Sequence, residues 1–280
     1  MRSIADCVWC RAGIEVNVVV VIPGCEAYAG VGEICLRLLE RYWAGHPQVK
    51  KVPMNGGPWL GPVVEALREE SDDLFVLMLD DYAICGDVKA GMVERAKEVM
   101  LRDRSIGLFP LCWYPASRRG ARAGENGIVT LGGAPVLLQA GIWRREWFLE
   151  LAAGIDPRAS ASGFEAAATQ IVRKGGRDIC AFDMDAPQWV GGSLVDGFDK
   201  AEWPVPYHNL MHRGQPALEH EKFLRSEGYR FPARGLGDSI ARIAEATGIG
   251  AVARMVEQVS GQPCGCEGRR EKLNEWMPYG

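Results

Sequence analysis

The sequence of 280 residues has no long apolar run. Its longest, Val18 to Pro23, falls far short of the ~18 to 20 residues that cross a bilayer, and the N-terminus lacks the basic-then-apolar pattern of a secretion signal. The expectation is a cytosolic chain without a membrane span. No repeat of fixed period and no low-complexity segment is present. The glycines between Gly24 and Gly32 are not followed by Gly-Lys-Ser/Thr and do not complete a dinucleotide fingerprint, which argues against kinase and dehydrogenase chemistry. A Gly-x-Ser-x-Gly elbow is also missing, so a serine hydrolase is not expected. The nine cysteines are odd in number and scattered, and without an export signal they read as reduced core residues rather than a disulfide framework.

What is present is an ordinary globular composition. With 48% hydrophobic and 24% charged residues, the chain can bury a core and shows no disorder-like excess of charge. Its length suits one large α/β domain, or a domain with an appendage. The net charge of -4 is uneven, because the stretch from Arg95 to Arg177 holds thirteen Lys/Arg against seven Asp/Glu. That basic middle suits a phosphate-bearing ligand.

Val16 to Ile22 is β-branched and nearly all apolar, as expected of a strand covered on both faces, and Pro23-Gly24 ends it. An amphipathic helix over Gly32–Trp43, a strand over Val49–Pro53, a helix over Leu60–Glu70 and a second buried strand over Leu74–Leu79 follow. This β-α-β-α-β order predicts a doubly wound sheet. A helix over Val88–Arg102 and a strand over Ile106–Pro110 come next, then an exposed basic loop with Arg118, Arg119 and Arg122. Strands are expected over Val129–Leu131, Val136–Gln139 and Asp178–Phe182, and helices over Arg144–Ala153 and Gly163–Arg173. Trp189 to Gly214, rich in Gly, Pro and aromatics, is expected to wrap back over the ligand-binding face. Helices over Pro216–Glu227, Leu236–Glu245 and Ala251–Val259 complete the pattern. The expected organisation is a domain over 1–232 and a small helical appendage over 233–280.

The sharpest chemical signal is Asp80-Asp81-Tyr82, a pair of carboxylates where a buried strand ends. Ligands of open α/β sheets bind at the carboxyl ends of strands, and adjacent carboxylates there can hold a hard divalent cation against a diphosphate. Without such a role the pair is a solvated turn.

Four segments in order resemble nucleotide-sugar-dependent glycosyltransferases of the GT-A fold, in particular a group related to capsule-sugar and phage-encoded enzymes. They are the Asp80-Asp81-Tyr82 strand end, Gln139-Ala-Gly-Ile-Trp143 with its following helix, Ser162-Gly-Phe164-Glu165, and Tyr207-His208-Asn209 to Arg213-Gly214. Together they span about residues 16 to 215. The third departs from the group, whose Trp-Glu is here Ser162-Gly163.

The resemblance implies a GT-A-like mixed sheet and transfer of a hexose from a UDP-sugar, such as UDP-glucose, to an acceptor hydroxyl. Asp80, Asp81 and His208 would hold Mn²⁺ or Mg²⁺, and Gln139, Trp143, His208 and Arg213 would contact the donor. Glu165 would be the base that takes the acceptor proton. Each residue also has a plainer role. Glu165 would complement a helix dipole, Gln139 and Trp143 would pack in the core, and His208 and Arg213 would lie on the surface.

Cys7, Cys10, Cys264 and Cys266 are spaced to supply four thiolates to a structural zinc. The tail from Cys264 resembles short Cys/Arg-rich tails of phage proteins linked to DNA base modification. It implies 5-hydroxymethylcytosine in DNA as acceptor and, for a bacteriophage protein, the host cytoplasm as setting. A surface polysaccharide is the alternative acceptor, and a non-catalytic module binding nucleotide, glycan or DNA is the alternative of another class.

Overall fold

The computed structural model describes residues 18–24, 29–54, 57–112, 121–123, 127–131, 134–175, 177–182, 189–190, 193–194, 203–212, 215–216, 221–229, 235–247 and 266–277. The chain divides into two compact units, Met1–Glu227 and Gly228–Gly280.

The first unit opens with β1 (Val19–Gly24), α1 (Ala29–Tyr42), β2 (Val49–Pro53), α2 (Leu60–Arg68) and β3 (Leu74–Leu77). It continues with β4 (Tyr82–Ile84), α3 (Ala90–Arg102), β5 (Ile106–Pro110), β6 (Ala121–Ala123) and β7 (Ile128–Leu131). Then come β8 (Gly141–Arg144), α4 (Arg145–Ala153), α5 (Ala161–Arg173) and β9 (Asp178–Phe182). Short strands follow: β10 (Trp189–Val190), β11 (Ser193–Leu194), β12 (Tyr207–Asn209), β13 (Met211–His212) and β14 (Gln215–Pro216), before α6 (Glu221–Ser226). The second unit contains α7 (Leu236–Ala246) and α8 (Cys266–Trp276), which pack on each other.

Eight strands form one mixed sheet in the order β2-β1-β3-β8-β5-β9-β7-β6. β1 runs parallel to β2 and β3, and β5 parallel to β9, whereas β8 lies antiparallel between β3 and β5. Alternate residues of β1 and β3 enter two different cores, as the two-residue period of a strand requires. Val19, Val21, Phe75 and Leu77 pack with Val63 and Leu67 of α2, Phe148 of α4 and Phe164 of α5. Val20, Ile22, Leu74 and Val76 pack with Leu39 of α1 and with Val93, Ala96 and Met100 of α3. Helices thus cover both faces, which is why these strands are apolar throughout.

Phe148 anchors the first core. It meets Phe75 edge-on at 5.6 Å and stacks on Phe164 at 4.9 Å, both favourable aromatic arrangements. Gly107 of β5 is required by its neighbour, since a Cβ there would lie 2.3 Å from the Trp147 ring. Arg144, 2% exposed, ties the end of α3 to β5 by donating to the carbonyls of Met100, Asp103 (3.2 Å) and Ile106 (3.0 Å).

One expected strand is not there. Residues 136–139 join no sheet, the chain bends at Gln139, and β8 begins only at Gly141. The N–H groups of Val136 and Leu138 are instead taken by side chains of α5.

Candidate functional site

The β3 strand delivers the two aspartates. After Leu77 the chain turns, Tyr82 N donates to Leu79 O at 3.3 Å, and β4 starts. Asp80 and Asp81 therefore lie at the carboxyl end of a central parallel strand, the edge where ligands of such sheets bind. Asp80 is 8% exposed and backed by glycine: a Cβ on Gly24 or Gly32 would come within 3.7 or 3.6 Å of its Oδ2. Its carbonyl accepts the buried Cys35 thiol at 3.0 Å.

Asp81 is half-buried, and its Oδ1 is sealed from solvent without a hydrogen-bond partner. Burial, then the charge of Asp80, and more weakly that of Glu165, push its carboxyl up to about 6. An oxygen in that state is short of a positive or donating partner.

Glu165 comes from the second turn of α5, too far in to serve the dipole. The helix end is capped instead by Ser160, whose hydroxyl accepts from Gly163 N at 3.1 Å. Glu165 Oε1 accepts from Leu138 N at 2.7 Å, and burial raises its carboxyl. One turn on, Thr169 Oγ1 accepts from Val136 N at 2.8 Å and donates to Glu165 O at 2.6 Å. The two side chains hold residues 134–138 as a strap across α5 and deliver Gln139 to the site. At Gln139 the Cys112 thiol donates to Oε1 at 3.5 Å.

The late segment closes over the same edge. β12 pairs antiparallel with β4, setting His208 opposite Ala83 and Asn209 opposite Tyr82, while Leu210 N donates to Asp81 O at 2.8 Å. Tyr207 stacks on Tyr82 at 4.9 Å, and its hydroxyl accepts from Leu79 N and donates to Leu79 O, both at 2.8 Å.

Asp80, Asp81, Gln139 and Glu165 are thus brought together. Trp143 is not among them and corrects the expectation of a donor contact. It is 0% exposed, with Trp147 stacked on it at 5.7 Å and Phe148 edge-on at 5.3 Å, so no ring face remains for a sugar. The backbone of His208 comes to the site, while its side chain lies outside the described residues. Arg213, Cys7, Cys10, Cys264, Arg118 and Arg119 lie outside them too, as do the side chains of Arg122 and Cys266. Among the described residues no group of three or more His, Cys, Asp or Glu is placed to hold a metal ion. Sequence reasoning missed Thr169, and placed Tyr207 in the closing aromatic-x-Asn segment without giving it a role. The spacing of four between Glu165 and Thr169 on one helix face was a signal for the first.

No family model and no curated protein matches the chain. Among solved structures it is similar to CMP:2-keto-3-deoxy-manno-octonic acid synthetase complexed with CTP, at 13% identity and TM-score 0.34, covering 64% of this chain and 93% of that one. It is also similar to TarS of S. aureus, at 11% identity and TM-score 0.39, covering 61% of this chain and 36% of that one. UDP-glucose pyrophosphorylase complexed with UDP-glucose aligns at 9% identity and TM-score 0.36, covering 63% of this chain and 94% of that one. The chain thus spans about a third of TarS and nearly the whole of the other two. With similarities of this degree, the chemistry of the chain rests on its own residues.

Proposed function

We propose that the chain is a nucleotide-sugar-dependent glycosyltransferase of the GT-A kind, acting on an acceptor hydroxyl with a divalent cation at Asp80 and Asp81. The observation that carries this reading is the convergence of Asp81 and Glu165 at the carboxyl end of β3, with Asp81 Oδ1 buried and unpartnered. Mg²⁺-like cations are commonly held by one or two carboxylates plus substrate phosphate oxygens, so two aspartates suit the role. When bound, such a cation offsets the charge of a departing diphosphate.

Glu165 serves as the base. Leu138 N–H occupies Oε1 and fixes the carboxylate, which leaves Oε2 for the acceptor proton, and burial raises its affinity for that proton. Nothing among the described residues favours hydroxymethylated DNA over a polysaccharide, so the proposal ends at an acceptor hydroxyl.

The test is a screen of UDP-sugars with Mn²⁺, with EDTA and Asp81→Ala as controls. Cation-dependent release of UDP that is lost in Asp81→Ala is the expected result. A wild-type chain that binds UDP-sugars but never cleaves them would instead be a binding module.

A further inference from the structure

The strand β3 ends at Leu77, and the backbone of the turn that carries Asp80 and Asp81 finds its partners outside the sheet. Three consecutive carbonyls of this turn are held by residues from elsewhere in the chain. Leu79 O accepts from the Tyr207 hydroxyl at 2.8 Å, Asp80 O from the Cys35 thiol at 3.0 Å, and Asp81 O from Leu210 N at 2.8 Å. A peptide unit is planar, so a held carbonyl fixes the plane that follows its residue. Both aspartates thus stand between fixed planes.

Tyr207 has no part in the scheme above, yet it grips the pair from both ends. Before the pair, its hydroxyl both accepts from Leu79 N and donates to Leu79 O. After the pair, its ring stacks on Tyr82 at 4.9 Å with an interplanar angle of 19°. The strand that carries it continues the hold, since Asn209 pairs with Tyr82 and Leu210 N reaches Asp81 O. The ring alone would cover the turn. The two bonds to Leu79 belong to the hydroxyl.

This hold matters because Asp81 Oδ1 has no hydrogen-bond partner of its own. No bond at that oxygen orients the carboxylate, so its place is set by the backbone beneath it. Adjacent carboxylates also repel one another, and a loose turn would let them part. Ligands held in place beforehand bind a divalent cation without a further ordering step. Resting on the reading of the site as a cation-dependent nucleotide-sugar transferase, we propose that Tyr207 is a positioning residue, its hydroxyl holding Asp80 and Asp81 ready for the cation through the backbone of Leu79.

The experiment measures Mn²⁺ binding by calorimetry, alone and with UDP present, on the full chain as wild type, Asp81→Ala, Tyr207→Phe and Met100→Ala. Met100 is the control for lost stability. It is 0% exposed in the second core, at the opposite end of the sheet, where Arg144 bonds its carbonyl and pairs with Leu74 at the start of β3. Wild type should bind Mn²⁺ and Asp81→Ala should not. Tyr207→Phe keeps the ring and its stack, and should raise the Mn²⁺ Kd about tenfold, the low end of the loss when a group supporting metal ligands is removed. Met100→Ala should lower the thermal midpoint and leave the Mn²⁺ Kd at the wild-type value. An unchanged Kd in Tyr207→Phe, or an equal rise in Met100→Ala, would overturn the inference and leave the transferase reading intact. Wild type that takes up no Mn²⁺ in either condition would remove the cation-dependent reading and this inference with it, and so would binding that survives Asp81→Ala.

Discussion

Asp81 stores a penalty that folding imposes. Its carboxyl holds a proton up to about pH 6 in the folded chain, against an ordinary value of 3.8. Between those values the folded state binds more protons than the unfolded state, so stability falls as pH rises. The full fall is roughly 3 kcal/mol at 1.36 kcal/mol per unit. Asp81→Asn should remove it. Its urea-unfolding free energy should match wild type near the ordinary carboxylate range and exceed it increasingly up to neutral pH. A constant difference across that range would show that Asp81 is not shifted. Glu165→Gln separates two duties of one side chain. Its carbonyl oxygen can still accept from Leu138, so the fold should hold while transfer falls by about two orders of magnitude or more, the contribution of a positioned base. Turnover near the wild-type rate would leave Glu165 only its strap contact. The aspartate pair was legible because both residues are neighbours at a strand end. The Leu138 bond was not, because it joins positions 27 apart and depends on where α5 lies.

The strap is where the sequence pattern and the fold part. The apolar run Val136-Leu137-Leu138 has the character of a strand, yet it pairs with none. Local pattern does not specify the hydrogen-bond partner, and here the partner is a helix. Thr169 and Glu165 take the place of a neighbouring strand at alternate residues, matching the two-residue period of extended chain. Thr169→Val keeps the shape and leaves the buried Val136 N–H unpaired, which should cost about 1 to 3 kcal/mol of stability in chemical denaturation. Thr169→Ser should restore most of it. Equal stability of the Val variant and wild type would mean that the strap is not held there. Elsewhere the elements were more readable: β2, β5 and β9 keep their expected bounds, and α2, α4 and α5 end within two residues of theirs. Strong apolar periodicity and Gly/Pro stops account for that agreement.

At the scale of the molecule, the reversed strand β8 assembles the site. Parallel strands bring only the residues that follow them to the ligand edge. Because β8 is antiparallel, with Gly141 opposite both Leu77 and Pro110, the residues that precede it arrive at that edge as well. Gln139 thus meets the chain that follows β3. The doubly wound arrangement was legible from the alternation of helix and strand, and the mixed sheet from the resemblance to GT-A enzymes, whereas which strand is reversed was not, since antiparallel and parallel central strands are equally apolar.

The same edge is completed from far along the chain, and this leaves a mark that can be watched in time. Two consecutive amides at the end of β3 look to different partners: Met78 N donates to Val21 O in the sheet at 3.1 Å, whereas Leu79 N donates to the Tyr207 hydroxyl, 128 positions away. In deuterium exchange the first amide clocks opening of the sheet, and the second clocks departure of the crossover segment. Tyr207→Phe should speed exchange at Leu79 about five- to tenfold and leave Met78 slow. Were both amides to quicken together, the crossover and the sheet would open as one body. If they do not, the ligand edge can lose its cover while the sheet beneath stays shut.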